Sequence, residues 1–269
     1  MDTKENLSNV TNNLIELMLD FCTKLDLTMI SHTNKRFNKI SKKDRFKNVK
    51  FLIYENIPDN VLYTTNAAFE GYLDILQRLR ANGCPWDENT CVYAAQNGHL
   101  EVLQWARANE CPWDENTCSF AAKNGHLEVL QWLRANGCPW NTNTCTFAAE
   151  NGHLEILQWS RSNGCLWDEN TCASAALNGH LEILQWARAE SGANECPWNI
   201  WTCAYASLNG HLEALQWARA NECPWDENTC VYAAKNGHLE TLQWARANSC
   251  PWSVNAERIA KFKWPDIFA

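Results

Sequence analysis

The chain has 269 residues, enough for one or two ordinary domains, and a formal net charge of −8. No stretch approaches the ~18 consecutive apolar residues of a membrane span, so we expect no membrane association. Residues 1–50 carry ten basic and six acidic side chains, which leaves a net charge of +4 there and −12 in the remainder. The acidic remainder is a poor match for nucleic acid, because neutralisation of phosphates dominates that binding.

The N-terminal segment has an apolar pattern of helical spacing. Leu14, Leu17, Met18 and Phe21 lie at i, i+3, i+4 and i+7, which predicts an amphipathic helix. Two further apolar groups follow it, at Leu25, Leu27 and Ile30, and at Phe37 and Ile40. Residues 1–50 are therefore predicted to form a small helical module.

This module resembles an F-box, which docks on the Skp adaptor of cullin–RING ubiquitin ligases. The resemblance rests on Met18-Leu19-Asp20-Phe21, Asp26-Leu27, Ile30-Ser31 and Lys35-Arg36-Phe37, while Val10-Thr11 replaces the Leu-Pro of the family. It implies an adaptor-docking surface made by Val10, Met18, Leu19, Phe21, Leu27 and Ile30. The alternative is a helical cap on the rest of the chain.

Residues 35–50 carry eight basic side chains and one acidic side chain. A patch for nucleic acid or an anionic membrane is one reading. A solvated helix and linker is the favoured one, since only Phe37 and Phe46 could supply aromatic stacking among the charges.

From Cys84 onward, a unit of 27 residues recurs, first as CPWDENTCVYAAQNGHLEVLQWARANE. A fixed period of this length is typical of a solenoid. Asp87 is predicted to cap a first helix over 88–96, Asn97-Gly98 to end it, and a second helix to follow over about 99–108. We expect stacked copies to bury the apolar side that one unit leaves open.

The stretch AAQNGHLEVLQW resembles the second half of an ankyrin repeat, and the match recurs in six units. The resemblance implies an all-α, ankyrin-like solenoid over residues 51–269, similar to the shortened arrays of large DNA viruses. It also implies that the first helices line a concave surface that binds proteins. The unit is shorter than the usual ~33 residues, so a short Cys-Pro-Trp loop is expected in place of the β-turn finger.

The repeats have predictable boundaries. A degenerate first repeat spans 57–83, and full repeats follow at 84–110, 111–137, 138–164, 165–195, 196–222 and 223–249. The fifth repeat carries four extra residues near 191–194. Residues 250–269 are expected to form a C-terminal cap whose Lys261 and Lys263 belong to a polar outer face.

Thirteen of the 14 cysteines occupy two fixed repeat positions. Equivalent positions of stacked helices lie ~8–10 Å apart, too far for a disulfide. There is also no apolar signal segment at the N-terminus, so we expect a cytoplasmic protein with reduced, buried thiols, in the host cytoplasm if the chain is viral.

The recurring Cys and His residues do not have the short spacing of zinc ligands, and six identical copies are unlike a catalytic pair. We therefore expect no metal, no cofactor and no enzymatic activity. The His is expected to form hydrogen bonds near a helix N-terminus. A Cys/His-rich metal or redox protein is the third and most distant reading.

Two positions of the first helix vary between repeats, and we expect them to contact a protein partner. These are the ninth and the thirteenth position, which lie four residues apart. In the fifth and sixth repeats they become apolar, and Ile200-Trp201 replaces Glu-Asn, with Trp201 as the expected anchor. The alternative is that this local change only accommodates the four extra residues at the same junction. The expected partner-binding residues are Ala173, Leu177, Ile200, Trp201, Ala204, Leu208, Lys123, Glu150 and Lys235.

Two functional hypotheses are favoured over a metal or redox function. In the first, the array captures a protein target and the N-terminal module recruits a ubiquitin ligase through Skp and cullin. In the second, the chain is a repeat scaffold or decoy and its N-terminus is only a cap. A capped solenoid is expected to be monomeric.

Overall fold

The computed structural model describes residues 61–189 and 195–268, all of which belong to one compact unit, Val61–Ala269. Sixteen helices and no strands are present in these residues. They are α1 Leu62–Phe69, α2 Leu73–Ala81, α3 Glu88–Gln96, α4 Leu100–Ala108, α5 Glu115–Lys123, α6 Leu127–Ala135, α7 Thr142–Glu150, α8 Leu154–Ser162, α9 Glu169–Leu177, α10 Leu181–Ala189, α11 Ile200–Leu208, α12 Leu212–Ala220, α13 Glu227–Asn236, α14 Leu239–Ala247, α15 Val254–Lys263 and α16 Pro265–Phe268.

Each full repeat is a helix–turn–helix, as the sequence predicts. In the second repeat, Asp87 has extended backbone angles and its Oδ1 accepts a hydrogen bond from the backbone N of Asn89 over 3.0 Å. The carboxylate thus satisfies one of the N–H groups that a helix start leaves open. The first helix ends at Gly98, whose φ of 76° places it in the left-handed region that favours glycine.

The first helices of successive repeats pack directly on one another and form a continuous layer. Small side chains make this close approach possible, since Cys91, Ala94 and Ala95 are fully buried. Each second helix packs mainly on its own first helix through a buried leucine such as Leu103. The array is therefore joined along its length by the first helices.

The buried apolar residues fall into two clusters. The larger runs from Ala67 to Cys223 through the first six repeats. The smaller joins the seventh repeat to the cap, and it contains Cys230, Cys250, Ala256 and Ala260. The C-terminal end of the array thus has a small core of its own.

The recurring histidine sits at a helix N-terminus, as expected, but its hydrogen bond links two repeats and does not cap its own helix. His126 occupies the N-cap position of α6 but makes no side-chain cap bond there. Its Nε2 lies 3.1 Å from the carbonyl oxygen of Gln96, at the end of the preceding first helix. The same contact joins His99, His153, His180 and His238 to the preceding repeat.

Tryptophan and arginine join successive repeats along the loops. Within the third repeat, Trp113 meets Trp132 edge to face, with ring centroids 6.0 Å apart. The guanidinium of Arg107 from the preceding repeat stacks 3.9 Å from the centre of the Trp113 ring and donates to the carbonyl oxygen of Cys111. Such stacking, together with a charged donor, stabilises each Cys-Pro-Trp loop against the repeat before it.

Thirteen cysteines of the described residues are free and buried. The distance between equivalent cysteines of successive repeats does not describe all cysteine contacts, because cysteines at different repeat positions also meet. The thiol of Cys118, at the eighth position, donates to the carbonyl oxygen of Cys138, the first residue of the next repeat, over 4.0 Å. The thiol of Cys138 in turn donates to the carbonyl oxygen of Asp114 over 3.4 Å.

The C-terminal cap is only partly polar, so the expected polar outer face is wrong in part. Lys261 and Lys263 are exposed, and Lys261 pairs with Glu257 over 3.2 Å. However, Val254 and Phe262 of the same helix are 83% and 87% exposed. This side of α15 therefore presents apolar side chains to solvent.

No helix among the described residues is both long enough and apolar enough to cross a bilayer.

Candidate functional site

Exposed apolar side chains concentrate on one face of the first helices. We call it the first-helix face and define it by the sixth, tenth and thirteenth positions of each repeat, which lie at i, i+4 and i+7 and share one side of a helix. Of the large apolar side chains that are exposed in the described residues, the four on this face are Leu62, Phe69, Trp201 and Phe262. Only a contiguous apolar patch marks an interaction site, and of these residues Trp201 has apolar neighbours on adjacent first helices.

Two of the predicted contact residues are not on the surface, so their assignment to an exposed patch is wrong. Ala173 is 3% exposed and Ala204 is fully buried. The ninth position points toward the neighbouring first helix, as the 3.4 Å contact between Ser119 Oγ and Thr144 Oγ1 shows for an earlier pair of repeats. Both alanines are therefore buried between first helices, beneath the first-helix face.

The apolar patch consists of Leu177, Trp201, Tyr205 and Leu208 on this face, together with the neighbouring Ile200 at the fifth position. Trp201 is 38% exposed, and its ring lies against Tyr205 with the centroids 5.6 Å apart. The other four are half-buried. In place of Trp201, the other full repeats have an asparagine, so this repeat exchanges a polar surface residue for the largest apolar one.

The three predicted charged residues occupy the thirteenth position in other repeats. The Lys123 ammonium lies 5.2 Å from the centre of the Phe147 ring, and Glu150 is half-buried in the repeat before the patch. Lys235 is exposed in the repeat after it. Charged side chains thus stand at this position on both sides of Leu177 and Leu208.

Sequence reasoning missed the tenth position. It carries aromatic, half-buried side chains in five of the six full repeats, with Ser174 as the exception. These aromatic residues are Tyr93, Phe120, Phe147, Tyr205 and Tyr232. An aromatic residue that recurs at one position of the repeat could have indicated, from the sequence alone, that this position contributes to the first-helix face.

Ser174 leaves a gap in the aromatic row of the first-helix face. The gap lies between Phe147 of the fourth repeat and Tyr205 of the sixth. Its own helix contributes Leu177, and Trp201 stands one turn before Tyr205. The aromatic row is thus interrupted at the fifth repeat.

The backbone under the patch is held across repeats. In the fourth repeat, the Asn151 side chain donates to the carbonyl oxygen of Phe147 in its own helix. Asn178 instead donates to Glu150 O of the preceding repeat, and Asn209 to Leu177 O, each over 2.8 Å. These bonds fix the first helices of the fourth to sixth repeats to one another at their C-terminal ends.

The recurring histidines of the array have structural partners. Burial lowers the pKa of His126 below its usual value, and the neighbouring His99 and His153 add to this effect. Among the described residues, no group of three or more His, Cys, Asp or Glu side chains is arranged to hold a metal ion.

The predicted adaptor-docking residues lie outside the described residues. They are Val10, Met18, Leu19, Phe21, Leu27 and Ile30. The extra residues 191–194 of the fifth repeat are also outside them.

A family model described as ankyrin repeats (many copies) matches residues 118–159, from the first helix of the third repeat to the second helix of the fourth. No curated protein matches the chain. The matched segment contains two His-to-carbonyl contacts of the kind that recurs along the array, from His126 and His153. The described part of the chain is an all-α, ankyrin-like repeat array.

Proposed function

We propose that the protein is an interaction adaptor that binds a protein target on its first-helix face, with the apolar patch of the fifth and sixth repeats as the main contact. Ankyrin-repeat proteins are generally binding scaffolds, which supports a role of this kind for the array. The observation that carries the proposal is Trp201, a large apolar side chain exposed where the other full repeats have asparagine.

The patch has the properties of a binding hot spot. Tryptophan and tyrosine are enriched among residues that dominate interface energies, and Trp201 and Tyr205 are already in contact. The inter-repeat bonds from Asn178 and Asn209 hold the surrounding backbone in place before a partner arrives. Such preorganisation lowers the entropy cost of binding.

The substitutions for a test can be taken from other repeats of the array. Ile200→Glu, Trp201→Asn and Leu208→Lys each replace a patch residue with one that other repeats carry at the same position. The triple variant should therefore fold like the wild type but lack the exposed apolar surface of the patch. Leu166→Pro is the matched control, because it also restores the common residue at an exposed leucine, in this case at the second position of a repeat.

The measurement is affinity capture from a eukaryotic lysate with quantitative mass spectrometry, followed by titration of the captured protein once purified. We expect one partner to be enriched by the wild type and by Leu166→Pro, and to bind the triple variant at least tenfold more weakly. Equal binding by all three proteins would reject the patch as the contact.

We further propose, from the N-terminal sequence alone, that residues 1–50 recruit a cullin–RING ligase through the Skp adaptor. Full-length protein, Phe21→Asp protein and a 51–269 truncation should be compared for capture of Skp and cullin. Capture by the full-length protein alone would support a ligase adaptor. Capture by none of them would favour the alternative, a repeat scaffold or decoy with a helical cap.

A further inference from the structure

An arginine recurs near the end of each second helix, and its guanidinium stacks on the tryptophan of the loop that follows. In the first six repeats it also donates a hydrogen bond to the carbonyl oxygen of the cysteine that opens this loop, as Arg188 does to Cys196 over 2.9 Å. The arginines that make both contacts are Arg80, Arg107, Arg134, Arg161, Arg188 and Arg219. The hydrogen-bonding capacity of these six guanidinium groups is thus used, at least in part, within the array.

The arginine of the seventh repeat, Arg246, keeps the stacking but not the hydrogen bond. Its guanidinium lies 4.2 Å from the centre of the Trp252 ring. Among residues 61–189 and 195–268, its N–H groups have no hydrogen-bond or ion-pair partner. Arg246 is also exposed, whereas the other six arginines are half-buried. This one arginine therefore has unused donors that face solvent.

The aromatic contacts around the arginine also change at this end of the array. In the seventh repeat, Trp225 meets Trp244 edge to face, as in the earlier full repeats. Trp252 instead stacks on Phe268, with the ring centroids 6.2 Å apart and the planes at 16°. The Arg246 guanidinium lies 5.8 Å from the centre of the Phe268 ring as well. Two rings hold the guanidinium in place, and cation–π contact uses none of its hydrogen-bond donors.

Arg246 borders a cleft at the junction between the seventh repeat and the C-terminal cap. The cleft has a volume of about 330 Å³, near the lower limit of the ~300–1,000 Å³ that is usual for ligand sites. It can therefore accept a single side chain of a partner. Ile267 at its edge is 50% exposed and offers an apolar contact. The lining residues are Arg246, Trp252, Glu257, Lys261, Ile267 and Phe268.

The charges of the cleft favour a singly charged anion. Two positive side chains and one negative side chain line it, which leaves a net charge of +1. Lys261 is paired with Glu257 over 3.2 Å, so Arg246 is the uncommitted cation. A carboxylate matches this charge and fits the fork of a guanidinium through two parallel hydrogen bonds. A phosphoryl group, with a charge of about −2, would be repelled by the Glu257 carboxylate.

We propose that this cleft is a second interaction site, at which Arg246 binds the carboxylate of an aspartate or glutamate side chain of a protein partner while Ile267 contacts an apolar residue beside it. Arginine side chains are the usual readers of acidic motifs, whereas C-terminal carboxylates are captured by backbone N–H groups. The unused donors of this cleft belong to a guanidinium. The site does not depend on the apolar patch of the first-helix face.

The test is an NMR titration of ¹⁵N-labelled, full-length protein with the peptide acetyl-Leu-Glu-Leu-amide. The signals to follow are Nε–Hε of Arg246 and the indole N–H of Trp252, assigned by their loss in Arg246→Gln and Trp252→Phe proteins. Both should shift in the wild type, with an affinity at least fivefold higher than for the same peptide with glutamine in place of glutamate.

The matched variants are Arg246→Gln and Arg219→Gln, which remove the same arginine from successive repeats. Followed through the Trp252 signal, the affinity should fall at least fivefold in Arg246→Gln protein. It should stay at the wild-type value in Arg219→Gln protein, because Arg219 donates to Cys223 and lies outside the cleft. The Ile200→Glu, Trp201→Asn and Leu208→Lys triple variant should also bind the peptide like the wild type, which separates this site from the apolar patch.

A further variant distinguishes loss of the site from damage to the cap. Arg246→Lys keeps the charge but not the fork, so its affinity should lie between those of the wild type and Arg246→Gln. Hydrogen exchange of residues 254–268 should remain at the wild-type rate in this protein. Equal affinities of wild-type and Arg246→Lys protein for the glutamate and glutamine peptides would overturn the proposal.

Two other peptides test the chemistry of the ligand. One carries phosphoserine in place of glutamate, and the other is acetyl-Leu-Gln-Leu with a free C-terminal carboxylate. Both should bind more weakly than the glutamate peptide. Tighter binding of the phosphoserine peptide, or equal binding of the peptide with the free C-terminus, would overturn the assignment to an acidic side chain.

Discussion

Lys263 donates a hydrogen bond from Nζ to the carbonyl oxygen of Lys235 over 2.6 Å, at the place where a histidine makes this contact in the preceding repeats. At this junction a lysine from α15, in place of a histidine, satisfies the end of α13. A cation is also the favoured partner for the negative end of a helix dipole. The inter-repeat contact is thus continued to the end of the array by a different side chain.

Replacement of Lys263 should loosen the cap. In Lys263→Met protein the aliphatic stem is kept, but the charge and the donor are lost, and we expect a cost of about 1 kcal/mol in the free energy of unfolding. Hydrogen exchange of residues 254–268 should become faster. Lys261→Met is the control, since the exposed ion pair of Lys261 with Glu257 should contribute little. Equal effects of the two variants would contradict the assigned role of Lys263.

Two glycines with similar backbone angles should differ sharply on replacement by alanine. Gly125 has φ of 85°, and a Cβ there would lie 2.9 Å from Cε1 of His153. Gly137 has φ of 81°, and a Cβ there would meet nothing within 4 Å. Both variants should lose about 1 kcal/mol for the left-handed backbone.

Only Gly125→Ala should also disturb the histidine contact between repeats, so we expect its total loss to be at least twice that of Gly137→Ala. Urea unfolding, monitored by circular dichroism, measures the difference. Equal losses would mean that the histidine ring does not depend on close approach to the glycine.

The stability of the array should fall as the pH drops below the usual histidine pKa of 6.5. The pKa values of His126 and His211 are lowered, in each case mainly by burial. The unfolded chain therefore binds more protons than the folded one in the range below 6.5, and the free energy of unfolding increases with pH there. This stability is fully present above pH 6.5 and is lost as the pH falls through the lower, folded-state values.

A variant separates these histidines from carboxylates that titrate nearby. In His126→Gln and His211→Gln double-mutant protein, the side chain can still donate to a carbonyl but does not titrate. The slope of unfolding free energy against pH between about 5 and 6.5 should be smaller than in the wild type. An unchanged slope would show that these two histidines are not linked to folding.

Much of one repeat followed from its sequence. Asp87, Gly98 and the apolar spacing between them placed both helices and their turn, because these signals act within a few residues. Contacts between repeats were harder to predict. The ninth position was expected on the surface, yet Ala204 is buried, because helical spacing does not tell which side of a helix faces the next copy.

The cysteine contacts show the same difficulty. Equivalent positions of successive repeats are one repeat spacing apart, and this comparison correctly predicted thiols that form no disulfide. It did not predict that the thiol of Cys118 contacts the backbone of Cys138, because these residues occupy different positions that the stacking register brings together. The sequence contains both cysteines in every full repeat, but the register depends on how whole helices pack.

The central claim is that a protein partner contacts the first-helix face at the fifth and sixth repeats. Site-specific photocrosslinking tests it most directly, with benzoyl-phenylalanine in place of Tyr205 and, in a control protein, in place of Gln104 on the exposed side of α4. We expect a crosslinked partner from position 205 alone, and its loss when Leu208→Lys is added. Equal crosslinking from both positions, or crosslinking at 205 that Leu208→Lys leaves unchanged, would contradict it.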